Sequence, residues 1–406
     1  MSSFNPFSAE HMADPYPAYA ELRRECPVHR VGPDVAYVTR HQTVTDVLRE
    51  RDRFSSRGGL TLSSAQDDVM DAETTINATD PPLHTKLRKL LRTALATRVV
   101  SANEDFIAQV CREFVEEFVH DGKADLVTAF AAKLPARVIL RMVGVSDADY
   151  QQVSDWTVEL EDAVDPAKGV AFSDFYTGRR HHPAAEAFFA YVQQLIDERR
   201  AQTDPPDDLV NRMITFRDDD GTGFSDRAIV IQITFLLIAG NETTSHLIAN
   251  LLLDIARNPE LFARLQQDRS QIGPAIEESL RKDSPVQLIM RTPTHDVDVD
   301  GTALTAGCRL WTGLGAANRD ERVYDHADQF DLDRDRSAQH VAFGVGAHLC
   351  IGAPLARLEA RHAINALLDR IDSLEPEPGY VYEKVEGFAH MAPKSLPVRF
   401  TVRELA

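Results

Sequence analysis

The chain has 406 residues, 43% of them hydrophobic and 26% charged, and carries a formal net charge of −19. This is the composition of an ordinary globule with ample core, which excludes a disordered or fibrous chain. The acidic balance disfavours nucleic acid and anionic membrane as partners over the whole surface, while leaving room for a local basic patch.

In chain order, Met1 to Pro6 has neither a basic n-region nor an apolar h-region, so no secretory signal is expected. Asp14 to Arg23 reads as a proline-led turn into a short helix. Val28 to Thr39 alternates around Gly32-Pro33-Asp34 as a small hairpin, and a helix follows at about Thr43 to Arg51. Ser55 to Thr79 is polar and glycine-containing, a long mobile loop of the lid type. Asp80 as N-cap and Pro81 at the first helical position predict the next helix start. His84 and Arg88 lie four apart on one face of it, offering two donors to an anion. Taken alone, the pair reads rather as a solvated basic face.

Helical periodicity resumes over Glu104 to Val119, Leu126 to Val143, about Asp147 to Asp162, and Ala184 to Arg200. Pro166 to Pro183 reads as a loop whose His181 and His182 are solvated rather than metal-binding. Asp204 to Asp208 and Asp218 to Gly221 read as loops within one domain covering residues 1–406. The longest helix is expected from about Asp226 to Ala256, roughly 46 Å at the standard rise. Its apolar run, Ala228 to Ala239, is interrupted by Gln232 and Thr234 and falls short of the ~20 residues that span a bilayer. The helix is apolar nearly all round, so it belongs in the core of a cytoplasmic protein with no membrane segment. In its middle, Ala239-Gly240-Asn241-Glu242-Thr243-Thr244-Ser245 buries a carboxylate and hydroxyls at a cost that suggests a role. Gly240 leaves space beside the helix, and a threonine hydroxyl competes for backbone bonds and widens the turn. A polar contact between helices is the other reading.

Ile272 to Lys282 forms a helix with Glu278 and Arg281 three apart, alone no more than a surface ion pair. Ser284 to Arg291 is extended, Asp296 to Gly301 is a strand into an Asp-Gly turn, and a strand contains Leu310-Trp311. Val381 to Val402 suggests a second hairpin with its tip near Phe388 to Ala392.

The most informative stretch is Phe343-Gly344-Val345-Gly346-Ala347-His348-Leu349-Cys350-Ile351-Gly352. Its glycines mark backbone that turns through positive φ and comes very close to something. A helix follows, with Pro354 in its first turn and Ile364, Leu367, Leu368 and Ile371 on a buried face. Cys350 stands just before the N-terminus of that helix, where N–H groups and the helix dipole favour a thiolate. That is a metal ligand's environment, although a lone cysteine is also compatible with a buried structural role. The four cysteines form no Cys-x-x-Cys pair, which argues against zinc and against a disulfide framework.

Phe-Gly-x-Gly-x-His-x-Cys-x-Gly resembles the haem-binding loop of the cytochrome P-450 family. Four further stretches resemble that family in the same order: Asp80-Pro81-Pro82-x-His84-x-x-x-Arg88, Ala239-Gly240-x-Glu242-Thr243, Glu278-x-x-Arg281 and Phe330 to Arg334. The resemblance implies a mainly α fold with small β-sheets, a triangular prism threaded by a long central I helix. It implies one haem b, with Cys350 as axial ligand; a thiolate there favours O–O cleavage. Phe343, Gly344, Ala239 and Gly240 would contact the haem. His84, Arg88, Arg291 and His348 would bind it, the first three through its propionates.

Thr243 would hydrogen-bond at the site of oxygen activation and Glu242 would relay protons from solvent. Glu278, Arg281 and Arg334 would form a buried structural network. Leu236, Val286, Ile289, Met290, Phe388 and Met391 would line the substrate pocket. The implied reaction is monooxygenation of a small or medium hydrophobic molecule, with O2 as co-substrate. Electrons would come from NAD(P)H through ferredoxin reductase and a ferredoxin docking on Lys86, Lys89, Arg92, Arg357 and Arg361. Glu242 and Thr243 argue against the alternative of a peroxide-driven oxidase, and a non-catalytic haem sensor lacks any output module. Lys282, Thr305 and His326-Ala327 depart from the family's usual residues and touch none of this chemistry.

Overall fold

The computed structural model describes residues 4–57, 75–163, 172–176, 178–335 and 339–403. Everything is arranged about the helix Asp226–Arg257, 32 residues long and opened by a Ser225 side chain that accepts from the Ala228 N–H. By length and composition this helix passes for a membrane span, but 67% of its apolar window is buried inside the protein. It packs against Lys133–Val143, Pro183–Ala201, Ile272–Lys282 and Ala353–Arg370. Its Ile229, Ile233, Leu237, Ile248, Leu251 and Leu252 are fully buried in the main apolar core. Burial on every side explains why its sequence shows no polar stripe.

A five-stranded sheet flanks this helical body in the order Val28–Gly32, Val35–Val38, Arg309–Gly313, Leu288–Pro293, Phe54–Ser55. The first pair is the expected hairpin. Leu288–Pro293 pairs antiparallel to Arg309–Gly313, with Met290 opposite Trp311 and Arg291 opposite Leu310. Strand alternation sends neighbours to opposite faces. Leu288 and Met290 therefore join the aromatic cluster of Phe4, Tyr19, Tyr37 and Trp311, while Ile289 and Arg291 face the other way.

Several expectations change in three dimensions. The helix expected from Asp80 starts at Leu83 with Pro82 as its cap, because the Asp80 carboxylate is taken by the Ser56 N–H at 2.9 Å and the Ser55 hydroxyl at 2.5 Å. The span Leu126 to Val143 divides into a π-helical turn, Val127–Ala131, and the helix Lys133–Val143. The hairpin expected over Val381 to Val402 forms only in its inner part: Lys384 bridges Pro393 antiparallel, the Val385 N–H donates to Ala392 at 2.9 Å and the Lys394 N–H to Glu383 at 2.8 Å, which leaves Phe388 in the tip. Its outer end does not extend the pairing: Pro397–Val402 pairs with Ile371–Pro376, which continues without a loop from the last helix, and with Lys123–Asp125. Residues 58–74 of the expected loop lie outside the described residues, and Ile76–Ala78 near its end is a short 3-10 turn. The Pro166 to Pro183 loop also lies partly outside them and contains a helical turn, Phe172–Tyr176. His181 there pairs with Glu186 on the surface.

Candidate active site

The glycine-rich loop wraps back on itself: the Gly344 N–H donates to Val341, and the Cys350 N–H to the Phe343 carbonyl at 2.9 Å. Gly346, at φ 75°, sits where an added Cβ would lie 2.9 Å from the Leu48 carbonyl, so any side chain would lift the loop off the His41–Arg49 helix. Gly344, at φ 67°, turns the loop past Ile289. Cys350 then stands at the N-terminus of Ala353–Arg370. It is accessible yet ringed by protein, as befits a side chain lining a deep cleft. Burial pushes its thiol up, while the Gly352 and Ala353 N–H groups and the guanidiniums of Arg88 and Arg357 favour the thiolate. Arg357 is fixed over the Phe343 ring at 4.6 Å by Glu277, which it meets at 2.6 and 2.9 Å.

Four donors expected at this site do converge. The His84 and His348 rings lie 4.0 Å apart, and His348 Nε2 is 3.0 Å from the Ser56 hydroxyl. Burial and the Arg291, His84 and Arg88 side chains hold His348 down to about 3, so it is neutral. Burial lowers Arg88 as well, and brings Arg291 down to about 10. The nearby carboxylate, Asp80, is already engaged by Ser55, Ser56 and Arg57. His84 Nε2 and Arg291 Nη2 are buried without a hydrogen-bond partner. Buried donors left unpaired in a cluster of like charge are costly, and a bound anion removes both penalties. The donor set therefore fits the two propionates of a haem, with a cysteine at a helix N-terminus fit to ligate its iron.

On the central helix, Leu236, Gly240 and Thr243 recur at one-turn spacing on a common face. A Cβ at Gly240 would meet nothing within 4 Å, so the helix leaves open space there. The Thr243 hydroxyl donates to the Ala239 carbonyl at 2.7 Å, the backbone competition expected from the sequence. Glu242 faces two histidines that sequence reading did not bring to it. Its Oε1 lies 3.3 Å from His390 Nδ1 and 3.8 Å from His246 Nε2. Burial opposes ionisation of Glu242, but His390 and His246 hold its carboxyl down to about 2. The i, i+4 spacing of Glu242 and His246 was available in the sequence; nothing local announced His390.

The structural network is present and larger than expected. Glu278 accepts from Arg281 at 2.8 and 2.9 Å, from Arg334 at 3.0 Å and from the Asp331 N–H at 2.9 Å.

The proposed pocket lining is corrected in part. Met290 is packed with Trp311 on the opposite face of the sheet from Ile289, and Phe388 stacks on Trp311 at 5.3 Å. Met391 is buried, its sulfur accepting from the Tyr382 hydroxyl at 3.2 Å. Val286 and Ile289 pack against the neighbouring apolar cluster, and Leu236 is buried in the main core.

The basic patch is also altered, because neighbouring carboxylates have already paired with most of it. Lys86 meets Asp220, Lys89 meets Asp218 and Asp219, Arg357 meets Glu277 and Arg361 meets Glu104.

Comparison with known proteins agrees with this geometry. The family described as Cytochrome P450 matches residues 25–379. Cytochrome P450 monooxygenase PikC of Streptomyces venezuelae is 34% identical over 405 residues, covering 96% of this chain and 91% of that protein. Vitamin D(3) 25-hydroxylase of Pseudonocardia autotrophica is 36% identical, covering 89% and 87%. Among solved structures, CYP109Q5 from Chondromyces apiculatus superposes with TM-score 0.87 at 31% identity over 99% of each chain. CYP109E1 from Bacillus megaterium, in complex with testosterone, gives 0.83 at 30% identity over 95% of this chain and 99% of that one. A family match over residues 25–379, with fold and sequence shared over nearly the whole length, means that the chain belongs to the cytochrome P450 family and is a haem-thiolate monooxygenase.

Proposed function

We propose that Cys350 would ligate the haem iron, that His84, Arg88 and Arg291 would hold the haem propionates with His348 beside them, and that Glu242 and Thr243 manage the protons of the reaction. The observation that carries this reading is the pair of buried, unpaired atoms, His84 Nε2 and Arg291 Nη2, near a cysteine at a helix N-terminus. When bound, the haem iron supplies the activation of dioxygen. Phe343 and the glycine loop would seat the group beside Cys350, where Glu277 holds Arg357 over the Phe343 ring. Opposite, Gly240 keeps room beside the helix. Thr243 Oγ1, whose proton is engaged by Ala239, presents its lone pairs to accept a hydrogen bond. The half-exposed Glu242 takes up protons from solvent at Oε1 and passes them inward.

The substrate in this reading is a hydrophobic molecule up to steroid size. The apolar Leu236, Val286 and Ile289 support it, as do relatives whose names include vitamin D(3) hydroxylation and bound testosterone. Electrons come from NAD(P)H through a ferredoxin reductase and a ferredoxin, in the cytoplasm. Of the expected docking cations, Arg92 is exposed with no ion pair among the described residues, and it is the centre of the proposed contact.

The test is the carbon monoxide difference spectrum of the reduced protein beside Cys350→Ala. Thiolate ligation gives a strongly red-shifted Soret band that the variant loses. A band at the position of a histidine-ligated haem overturns the assignment. Thr243→Ala, assayed with a steroid found by spin-state shift, is expected to keep consuming electrons while forming less product.

A further inference from the structure

We propose that Glu242, His246 and His390 form a binding site for a divalent transition-metal cation of the zinc type, separate from the haem iron. One imidazole and one carboxylate come from successive turns of the rigid core helix; the second imidazole comes from the Val381 to Leu396 segment. The three ligand atoms all lie within 4.8 Å of one another. Four-coordinate zinc, with bonds of about 2.0–2.1 Å, needs ligand atoms about 3.3–3.4 Å apart. The Glu242–His390 edge already measures 3.3 Å and the Glu242–His246 edge 3.8 Å, so small side-chain rotations close the set. Two imidazoles and one carboxylate are a donor set that zinc uses with water in the fourth position.

The third ligand is preorganised. His390 bridges to Val286; the Gln287 N–H donates to Ala389 at 2.8 Å and the Met391 N–H to Pro285 at 3.0 Å. The Asn250 amide, one helical turn beyond His246, donates to the Met391 carbonyl at 2.8 Å and ties that segment to the same helix. His246 is 8% exposed, and its Nδ1 has no hydrogen-bond partner. A buried, neutral imidazole that is unpaired on one side and aimed at a carboxylate on the other is already in a metal ligand's protonation state. The opposing charge is Lys384, whose ammonium donates to the Val385, Gly387 and His390 carbonyls and is held by burial at about 8.

Occupancy has a consequence that rests on the reading of Glu242 given above. A carboxylate bound to a cation no longer takes up and releases protons, so zinc inhibits turnover without touching the haem.

The test uses full-length, haem-loaded protein purified without a histidine tag and treated with chelator. Zinc binding is measured by equilibrium dialysis and calorimetry for the native chain, Glu242→Gln, His390→Ala and His181→Ala. His181 forms an exposed pair with Glu186 at 2.9 Å and controls for nonspecific surface binding. His390 is half-buried on a surface segment, so its truncation leaves the core intact. The expected result is one zinc per native chain, retained in His181→Ala. Affinity should fall in Glu242→Gln and His390→Ala by more than the roughly 10–100-fold that losing a mere supporting group costs. No zinc at one equivalent, or affinity unchanged in both triad variants, overturns the site. Zinc bound at the triad with unimpaired turnover leaves the site standing and refutes proton delivery by Glu242.

Discussion

Replacing Glu278 by alanine removes the carboxylate shared by Arg281 and Arg334. Glu278 and Arg281 have side chains 2% and 3% exposed, and Arg334 7%. The loss is of three charge-assisted hydrogen bonds and the bond from the Asp331 N–H. Arg281 still donates to the Asn318, Ala327 and Gln329 carbonyls, and Arg334 to Asp325, His326 and Gln329, so neither guanidinium swings out to water. Two positive charges are then trapped without compensation. Breaking a buried pair from one side costs about 3–5 kcal/mol, a large share of the roughly 5–15 kcal/mol that holds a typical domain together. A comparison sits in the same segment. Arg264 meets Asp333 through two bonds of 2.8 Å, but with side chains 43% and 73% exposed. Arg264→Ala should cost far less, because water screens and replaces the pair. Urea unfolding of the haem-loaded protein, followed by circular dichroism, measures both. A Glu278→Ala loss below about 1 kcal/mol, or an equal loss in Arg264→Ala, would refute the reasoning. Glu278→Gln, which keeps the shape and removes the charge, should lose most of the same stability.

Three further outcomes are expected. Burial alone pushes the Glu359 carboxyl, 2% exposed in the last long helix, up to about 8. It is protonated when folded and ionised when unfolded at neutral pH, so its contribution is fully present below pH ~4.5 and is lost as pH rises toward ~8. Glu359→Gln should therefore gain on the native protein by up to about 4 kcal/mol between pH 5 and pH 8 in paired urea titrations, and a parallel pH dependence would refute a neutral Glu359. Arg291→Ala removes a buried donor worth about 1.5–3 kcal/mol when paired with a charge. Haem transfer to a scavenger globin should then quicken about ten- to a hundredfold, and an unchanged rate would remove Arg291 from the propionate site. Arg92→Glu should slow reduction by a ferredoxin at low salt and converge with the native rate at high salt, since surface steering is screened; equal rates at low salt would move the docking face elsewhere.

Much of the protein was legible because its strongest signals are short. The Phe343 to Gly352 loop, the Ala239 to Thr243 block and the His84/Arg88 pair each fit within about three helical turns. There, backbone sterics and periodicity fix which side chains share a face. The long central helix was readable from its apolar length, and the Val28 to Val38 hairpin from its turn residues. Period-two alternation separates Ile289 and Arg291 from Leu288 and Met290, although the expected pocket lining took Ile289 and Met290 together.

What the sequence left undetermined was which face meets the site. That is set by the pairing of Leu288–Pro293 against Arg309–Gly313, which turns Met290 toward Trp311. Asp80 was diverted from helix capping by Ser55 and Ser56, twenty-four and more residues away. Lys89 found its carboxylates in the Asp218 to Asp220 turn. His390 reached Glu242 only because the Val381 to Leu396 segment is pinned to Pro285 and Asn250. Local steric rules act within one turn or one strand, and so the sequence determines them by itself. Pairings between charges and rings over a hundred residues apart depend on how whole elements pack, and only the tertiary structure decides them.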